Sequence, residues 1–281
     1  MKKSRIKGVF RILAILMSLM LILTTPVTAE AKGAGTYAGY IKKNGVYYSK
    51  MPKKYRKGYK LGRKEYKANN STGYGANMDE LYGRIFFLAD HVSAFSNSSR
   101  ALSVRESKQT YAAAKSLSRV AKGKKSKYKK ALALHDALMN NVTYGGGIYG
   151  GQSAYEALTG NKTAVCAGIS RAYKLMCDIV GIKCYCVYGN AGGGIGTSGA
   201  HQWNVIKLDD GKWYEVDVTF DLGLNKSHHF FCLSTNRMAN LSINGLSYYH
   251  QRAALDQTTA LLMKVTPVAT GTKYKYKGKK K

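Results

Sequence analysis

The stretch Thr163–Gly189, TAVCAGISRAYKLMCDIVGIKCYCVYG, decides the fold. Its apolar spacing predicts a helix from about Cys166 to Val180, ended by Gly181, a residue suited to the left-handed helix C-terminus. IKCYCVYG then reads as a strand with Cys184 and Cys186 on one face. Cys166 falls in the first turn of the helix, where unpaired N–H groups favour negative charge and lower a thiol pKa. Gly160-Asn161 and Thr163 let the chain turn sharply into that helix.

Downstream, NAGGGIGTSG reads as a mobile loop, and AHQWNVIKL and KWYEVDVTF as strands joined by Asp209-Asp210-Gly211. A three-residue hairpin loop with glycine at the left-handed position sets the register. Leu208 faces Lys212, Trp203 faces Asp217 and His201 faces Thr219. His201 and Asp217 become diagonal neighbours on one sheet face, within side-chain reach. A two-residue loop would separate them onto opposite faces. A thiol, an imidazole and a carboxylate are the parts of a nucleophilic acyl-transfer site. Gly194-x-Gly196-x-x-Gly199 fits the dinucleotide fingerprint by letter, but a strand follows it where the fingerprint needs a helix.

Upstream, MDELYGRIFFLADHVSAF, RESKQTYAAAKSLSRVA and KYKKALALHDALMNNVTY read as helices, with His135 on an apolar stripe as a packed residue. Ser153 and Glu156 form a capping box for a short helix closed by Gly160. FFCLS is another strand. Helices first and strands later predict an α+β domain in which the nucleophile helix packs on an antiparallel sheet.

The chain of 281 residues carries a formal net charge of +30. Such a field favours anionic partners. Residues 1–31 have a basic start, an apolar run over Ile12–Leu23 and small residues at the end, the pattern of a secretory signal peptide. The run is short for a permanent membrane span. Residues 32–76 read as an extended basic, Tyr/Lys-rich arm with a hairpin at Asn44–Gly45, able to shield the groove before removal. Residues 77–265 form the catalytic domain, and 266–281 a basic tail. Tyrosine interleaved with lysine is also how single-stranded nucleic acid is gripped, but export makes that partner unexpected. Export permits disulfides, while five cysteines leave at least one thiol free. Cys166 is that thiol, and Cys177, Cys184 and Cys186 read as buried small hydrophobes. Cys184, Cys186, His228, His229 and Cys232 lack the paired knuckles of a zinc site, and no calcium loop of alternating acids is present.

The segment GGQSAYEALTGNKTAVCAGISRAYKLMCDIVGIKCYCVYGNA, with AHQWNVIKLDDGKWYEVDVTFD and HHFFCLS, resembles the secreted bacterial branch of the transglutaminase-like superfamily. The likeness covers about residues 125–235. It implies a papain-like fold with Cys166 as nucleophile, His201 as general base and acid, and Asp217 orienting the imidazole. Gln152 and Trp203 are candidates for the oxyanion hole or the substrate groove. Ile169 and Phe220 depart from the family, which favours an aromatic residue and a tryptophan there. No cofactor is implied. The expected substrate is a protein or peptide carboxamide, with an amine or water as acceptor, and the basic arms meet anionic wall polymers or a membrane surface. A papain-like peptidase or amidase, or a non-catalytic wall-associated binding protein, are the alternatives.

Overall fold

The computed structural model describes residues 45–68, 78–87, 90, 104–147, 150–194, 196 and 198–278. The N-terminal signal region lies outside them. The helices are α1 (Val46–Lys50), α2 (Arg56–Ala68), α3 (Met78–Phe87), α4 (Val104–Leu117) and α5 (Lys127–Asn141). The short parallel pair β1 (Thr143–Tyr144) and β2 (Thr163–Ala164) brackets α6 (Ala154–Leu158), and α7 (Cys166–Ile179) follows. Next come β3 (Cys184–Gly193), β4 (Gly199–Lys207), β5 (Trp213–Val216), α8 (Val218–Gly223) and β6 (Phe231–Leu233). The chain then forms α9 (Thr235–Ala239), β7 (Leu241–Ile243), β8 (Leu246–Arg252) and α10 (Gln257–Met263). Strands β3 to β8 make one six-stranded antiparallel sheet in the order β6-β5-β4-β3-β8-β7. No described helix is long and apolar enough to cross a membrane.

Helix α7 is the centre of the core. Ile169, Ala172, Tyr173, Leu175, Met176 and Cys177 are all fully buried. Its end is as the sequence predicts: the chain leaves the helix through Gly181, at φ +80°. The capping box of α6 is also present, Ser153 accepting from the Glu156 N–H and Glu156 from the Ser153 N–H.

The β4–β5 register is the expected one. Lys207 pairs with Trp213, Val205 with Glu215 and Asn204 with Val216, and the Leu208 N–H donates to the Lys212 carbonyl. The strand itself is shorter than expected. β5 stops at Val216, and KWYEVDVTF turns from strand to helix at Asp217, whose side chain caps α8 by accepting from the Thr219 and Phe220 N–H groups. Among the described residues, the Gly199–Trp203 end of β4 therefore has no strand-ladder partner on the β5 side. The glycine-rich loop is likewise smaller than expected. β3 continues to Gly193, and Gly192 and Gly193 pair with Tyr249 and Tyr248 of β8.

The basic arm is a correction. Residues 45–68 are helical, and Gly45 leads into α1 where a hairpin turn was expected. Tyr47, Met51, Tyr55 and Tyr59 recur every fourth residue and all four are buried. The four side chains come in turn from α1, the extended Met51–Pro52 link, the 3-10 turn Lys53–Tyr55 and α2, and each turns inward. Full burial of each such side chain contributes about 1.5–3 kcal/mol, whereas an exposed ion pair contributes at most about 1 kcal/mol. Burial of these side chains thus outweighs the lysine repulsion. Helices α2 and α3 meet backbone to backbone, since a Cβ on Gly58 would lie 2.0 Å from the Glu80 carbonyl oxygen. Tyr59 Oη and the Tyr47 N–H both donate to Asp90, which also approaches the buried ammonium of Lys174 on α7 at 3.7 Å. This segment is bolted to the nucleophile helix.

The C-terminal segment packs against the domain as well. The Gly271 N–H donates to the Trp213 carbonyl, Tyr274 stacks on Tyr128 at 5.1 Å, and Tyr276 stacks on His228 at 3.8 Å. The tyrosines turn in, while Lys273, Lys275 and Lys277 stay exposed. Residues 279–281 lie outside the described part.

Candidate active site

Cys166 is the first residue of α7, with Val165 at the cap. The approach differs in one detail from the sequence reading. Gly160 and Lys162, at φ +53° and +52°, turn the chain into β2 first, and β2 then delivers Val165 and Cys166. Gly151 fixes the helix start: its carbonyl accepts the Val165 N–H at 3.0 Å, and a Cβ there would lie 2.7 Å from that nitrogen. At φ +68° it is also a position that L side chains resist.

The Cys166 thiol lies close enough to the His201 ring and to the backbone N–H of Gln202, on the edge of β4, for both to lower its pKa. The other side of the ring is held: His201 Nε2 lies 2.7 Å from Asp217 Oδ2. With Nε2 committed, Nδ1 is the nitrogen left for the thiol. His201 and Asp217 are both buried, and Cys166 is half-buried. The three predicted residues are therefore together. Asp217 arrives not as a strand residue but as a helix cap, a position that orients its carboxylate through two backbone N–H groups.

The electrostatics favour charge separation. Burial pushes the Asp217 carboxyl up, but the His201 charge, the hydrogen bond from it and the bond from His250 outweigh burial, so it is held well below the ordinary carboxylate range. Burial disfavours a charged His201, yet the Asp217 charge and hydrogen bond and the Cys166 contact push its pKa up to about 10. Burial raises the Cys166 thiol, and the His201 hydrogen bond and charge and the Gln202 N–H bring it below its ordinary value. All three directions favour a thiolate–imidazolium pair beside a carboxylate.

His250, on β8, escaped the sequence reading. Its Nε2 also lies 2.7 Å from Asp217 Oδ2, and its side chain is fully buried. An ionised carboxylate only accepts, so both imidazoles donate to it through Nε2–H. His250 sits thirty-three residues beyond Asp217 in YYHQR, with no local signal, and only the β3–β8 pairing brings it in.

Trp203 stacks parallel to His201 with centroids 5.9 Å apart. It is buried, and its indole N–H donates to Glu215 Oε2 at 2.8 Å. It backs the histidine and is neither a groove wall nor an oxyanion donor. Gln152 is half-buried before α6. Its carbonyl accepts from Arg171 Nη1 at 2.6 Å, and the residue does not line the cavity beside His201.

That cavity, of about 540 Å³, is bounded by Tyr144, His201, Phe220, Leu224 and Tyr248 and by the Gly193–Gly199 turn. The glycine turn thus borders the site as expected. Phe220 is set edge-on to His201 at 5.1 Å and to His250 at 4.5 Å. Burial raises the Tyr144 hydroxyl pKa, and Cys166 and Asp217 raise it further, so this tyrosine is within electrostatic reach of both.

A helix-borne thiol facing a sheet-borne imidazole is the arrangement of the papain-like class. Residues 114–218 match the Transglutaminase-like superfamily, a span that contains Cys166, His201 and Asp217, so the chain carries a transglutaminase-like domain. No curated protein matches the chain. A solved structure described as "Crystal structure of a TGase" aligns with 57% of this chain and 38% of its own length, at 16% identity and a TM-score of 0.33. The aligned part is thus well under half of that protein.

Proposed function

We propose that the protein is a thiol acyltransferase of the transglutaminase type. The observation that carries this is Cys166 in the first turn of α7, within electrostatic reach of an imidazole whose Nε2 lies 2.7 Å from Asp217 Oδ2 and which lines an open cavity. The Cys166 thiolate adds to a carboxamide carbonyl and forms a tetrahedral oxyanion. The Cys166 backbone N–H, unpaired at the helix start, is the first donor to that oxyanion. His201 gives its proton to the departing ammonia or amine as the thioester forms. The same imidazole then takes a proton from the incoming amine or water, and acyl transfer frees the thiolate. Asp217 stabilises the imidazolium in both steps. Trp203 and Phe220 keep water from the pair.

The substrate is a protein or peptide, and the site is at the cell surface. The export reading of residues 1–31 supports this location. The exposed lysines of α2 and of the C-terminal segment, with the +30 charge, suit retention on anionic wall polymer or anionic lipid. Incubation of surface proteins with the enzyme and a labelled primary amine, read by mass spectrometry, tests the reaction. Label joined to glutamine side chains supports acyl transfer, and a mass gain of about 1 Da at glutamine shows water as the acceptor. Peptide-bond cleavage without either product would assign a peptidase.

A further inference from the structure

One turn along α8 from Asp217, beyond Asp221, lies a second cluster that the proposed chemistry does not use. It joins His135 and Asp136 of α5 to His228 in the turn before β6. His228 Nε2 is 2.7 Å from Asp136 Oδ1, and His135 Nδ1 is 3.4 Å from the same oxygen. The three donor atoms lie within 4.8 Å of one another. The second contact is beyond the usual range for a good hydrogen bond.

We propose that His135, Asp136 and His228 form a binding site for a divalent transition-metal ion of the zinc type. The support lies behind His135. Its Nε2 is 3.0 Å from Asp221 Oδ2, and Asp221 Oδ1 accepts from Ser227 Oγ and the Phe230 N–H. A buried carboxylate with donors on both oxygens is an acceptor, so His135 carries its hydrogen on Nε2. Nδ1 is then the nitrogen left to face Asp136 and His228. A carboxylate behind the far nitrogen of a histidine is how proteins orient and strengthen a metal-ligating imidazole.

Two of the three donor spacings are near those of a tetrahedral site, and the third lies within 4.8 Å. Two imidazole nitrogens and one carboxylate oxygen suit a borderline ion such as Zn²⁺. Bonds of about 2.0–2.1 Å in a tetrahedron put neighbouring donors about 3.3 Å apart. The 3.4 Å pair already has that spacing, and the 2.7 Å pair opens by roughly 0.6 Å. His135 is fully buried, His228 is mostly buried, and Asp136 is about half exposed, which leaves a solvent side for a fourth, water ligand. The His228 ring is held from behind by Tyr276 at 3.8 Å, so ion binding also secures the C-terminal segment. An ion that must approach a chain of charge +30 depends on these local carboxylates.

The test is zinc titration of the full-length Cys166→Ala protein by calorimetry, which removes the one cysteine that is not buried. One zinc ion per chain is expected, with affinity falling at least about tenfold in Asp136→Asn and in His228→Ala. Circular dichroism of each variant verifies folding. If His228→Ala unfolds, His228→Gln retains a group able to bond Asp136 but lacks the imidazole, and the same loss is expected. No zinc binding, zinc retained by both variants, or a loss that follows His250→Ala instead would overturn the proposal.

Discussion

Two buried aspartates stand one turn apart at the start of α8, Asp217 at its N-cap and Asp221 in its first turn, and their surroundings are built alike. Asp217 and Asp221 both accept from a histidine Nε2, and both accept backbone N–H groups. What differs is the group on the far side of the imidazole. Beyond His201 stand a thiol and a cavity of about 540 Å³; beyond His135 stand a second carboxylate and a second imidazole. A paired Asp and His therefore defines no chemistry by itself. The third partner does, and each of the following outcomes sharpens or breaks that contrast.

The largest effect is expected at the thiol. Cys166→Ala should lower turnover by at least roughly 10⁴-fold with the melting temperature nearly unchanged, because the side chain is half-buried and small. Full activity in that variant, with loss in Cys177→Ala, would move the site. Next comes the carboxylate comparison. Asp217 Oδ2 accepts two imidazole donors and Oδ1 two backbone donors. In Asp217→Asn an amide N–H₂ must face one of those pairs, so a loss of about 10²–10⁴ in turnover is expected, along with about 3 kcal/mol of stability. Asp221→Asn should cost stability yet leave the Cys166 alkylation rate within about twofold, a result that labelling kinetics would check.

A smaller effect belongs to His250. It touches no reacting atom and acts through Asp217. His250→Ala should lower kcat about tenfold and leave KM nearly unchanged. His250→Gln, whose amide nitrogen stands near the lost Nε2, should restore most of the rate. Equal damage from both variants would make His250 a packing residue only. The smallest effect is retention on wall polymer. It should weaken steeply with salt, since exposed charges are screened within about 10 Å at 0.1 M. Charge-reversing Lys60, Lys64, Lys273 and Lys277 should release the protein without changing turnover of a soluble substrate.

The sequence was most legible where local rules and tertiary structure agree. Gly181 closes α7, Ser153 and Glu156 cap α6, and the Asp209–Gly211 turn sets the β4–β5 register. Those three features position Cys166 and His201. Asp217 lies where that register places it, although a helix cap replaces the strand end there, because the carboxylate gains more from two free N–H groups than from a ladder position. The N-terminal segment is helical where an extended arm is expected, because its tyrosines keep no sustained period over the whole basic stretch and only those at 47, 55 and 59, with Met51, fall at four-residue spacing. All four of these side chains are buried, and the Tyr59 hydroxyl donates to Asp90. His250 was illegible for a different reason: strand pairing across sixty residues leaves no trace in local spacing.

The central claim is that Cys166 is a thiolate held by His201 and Asp217. The pH dependence of iodoacetamide labelling, resolved by cysteine, tests it most directly. The thiol is lowered and the His201 imidazolium persists up to a pKa of about 10, so the ion pair spans the pH range between the two. Cys166 should label fast at mildly acidic pH, well ahead of the four buried cysteines, and His201→Ala should abolish that advantage. Labelling of Cys166 with a midpoint near the ordinary thiol value of about 8.5, unchanged in His201→Ala, would contradict the account.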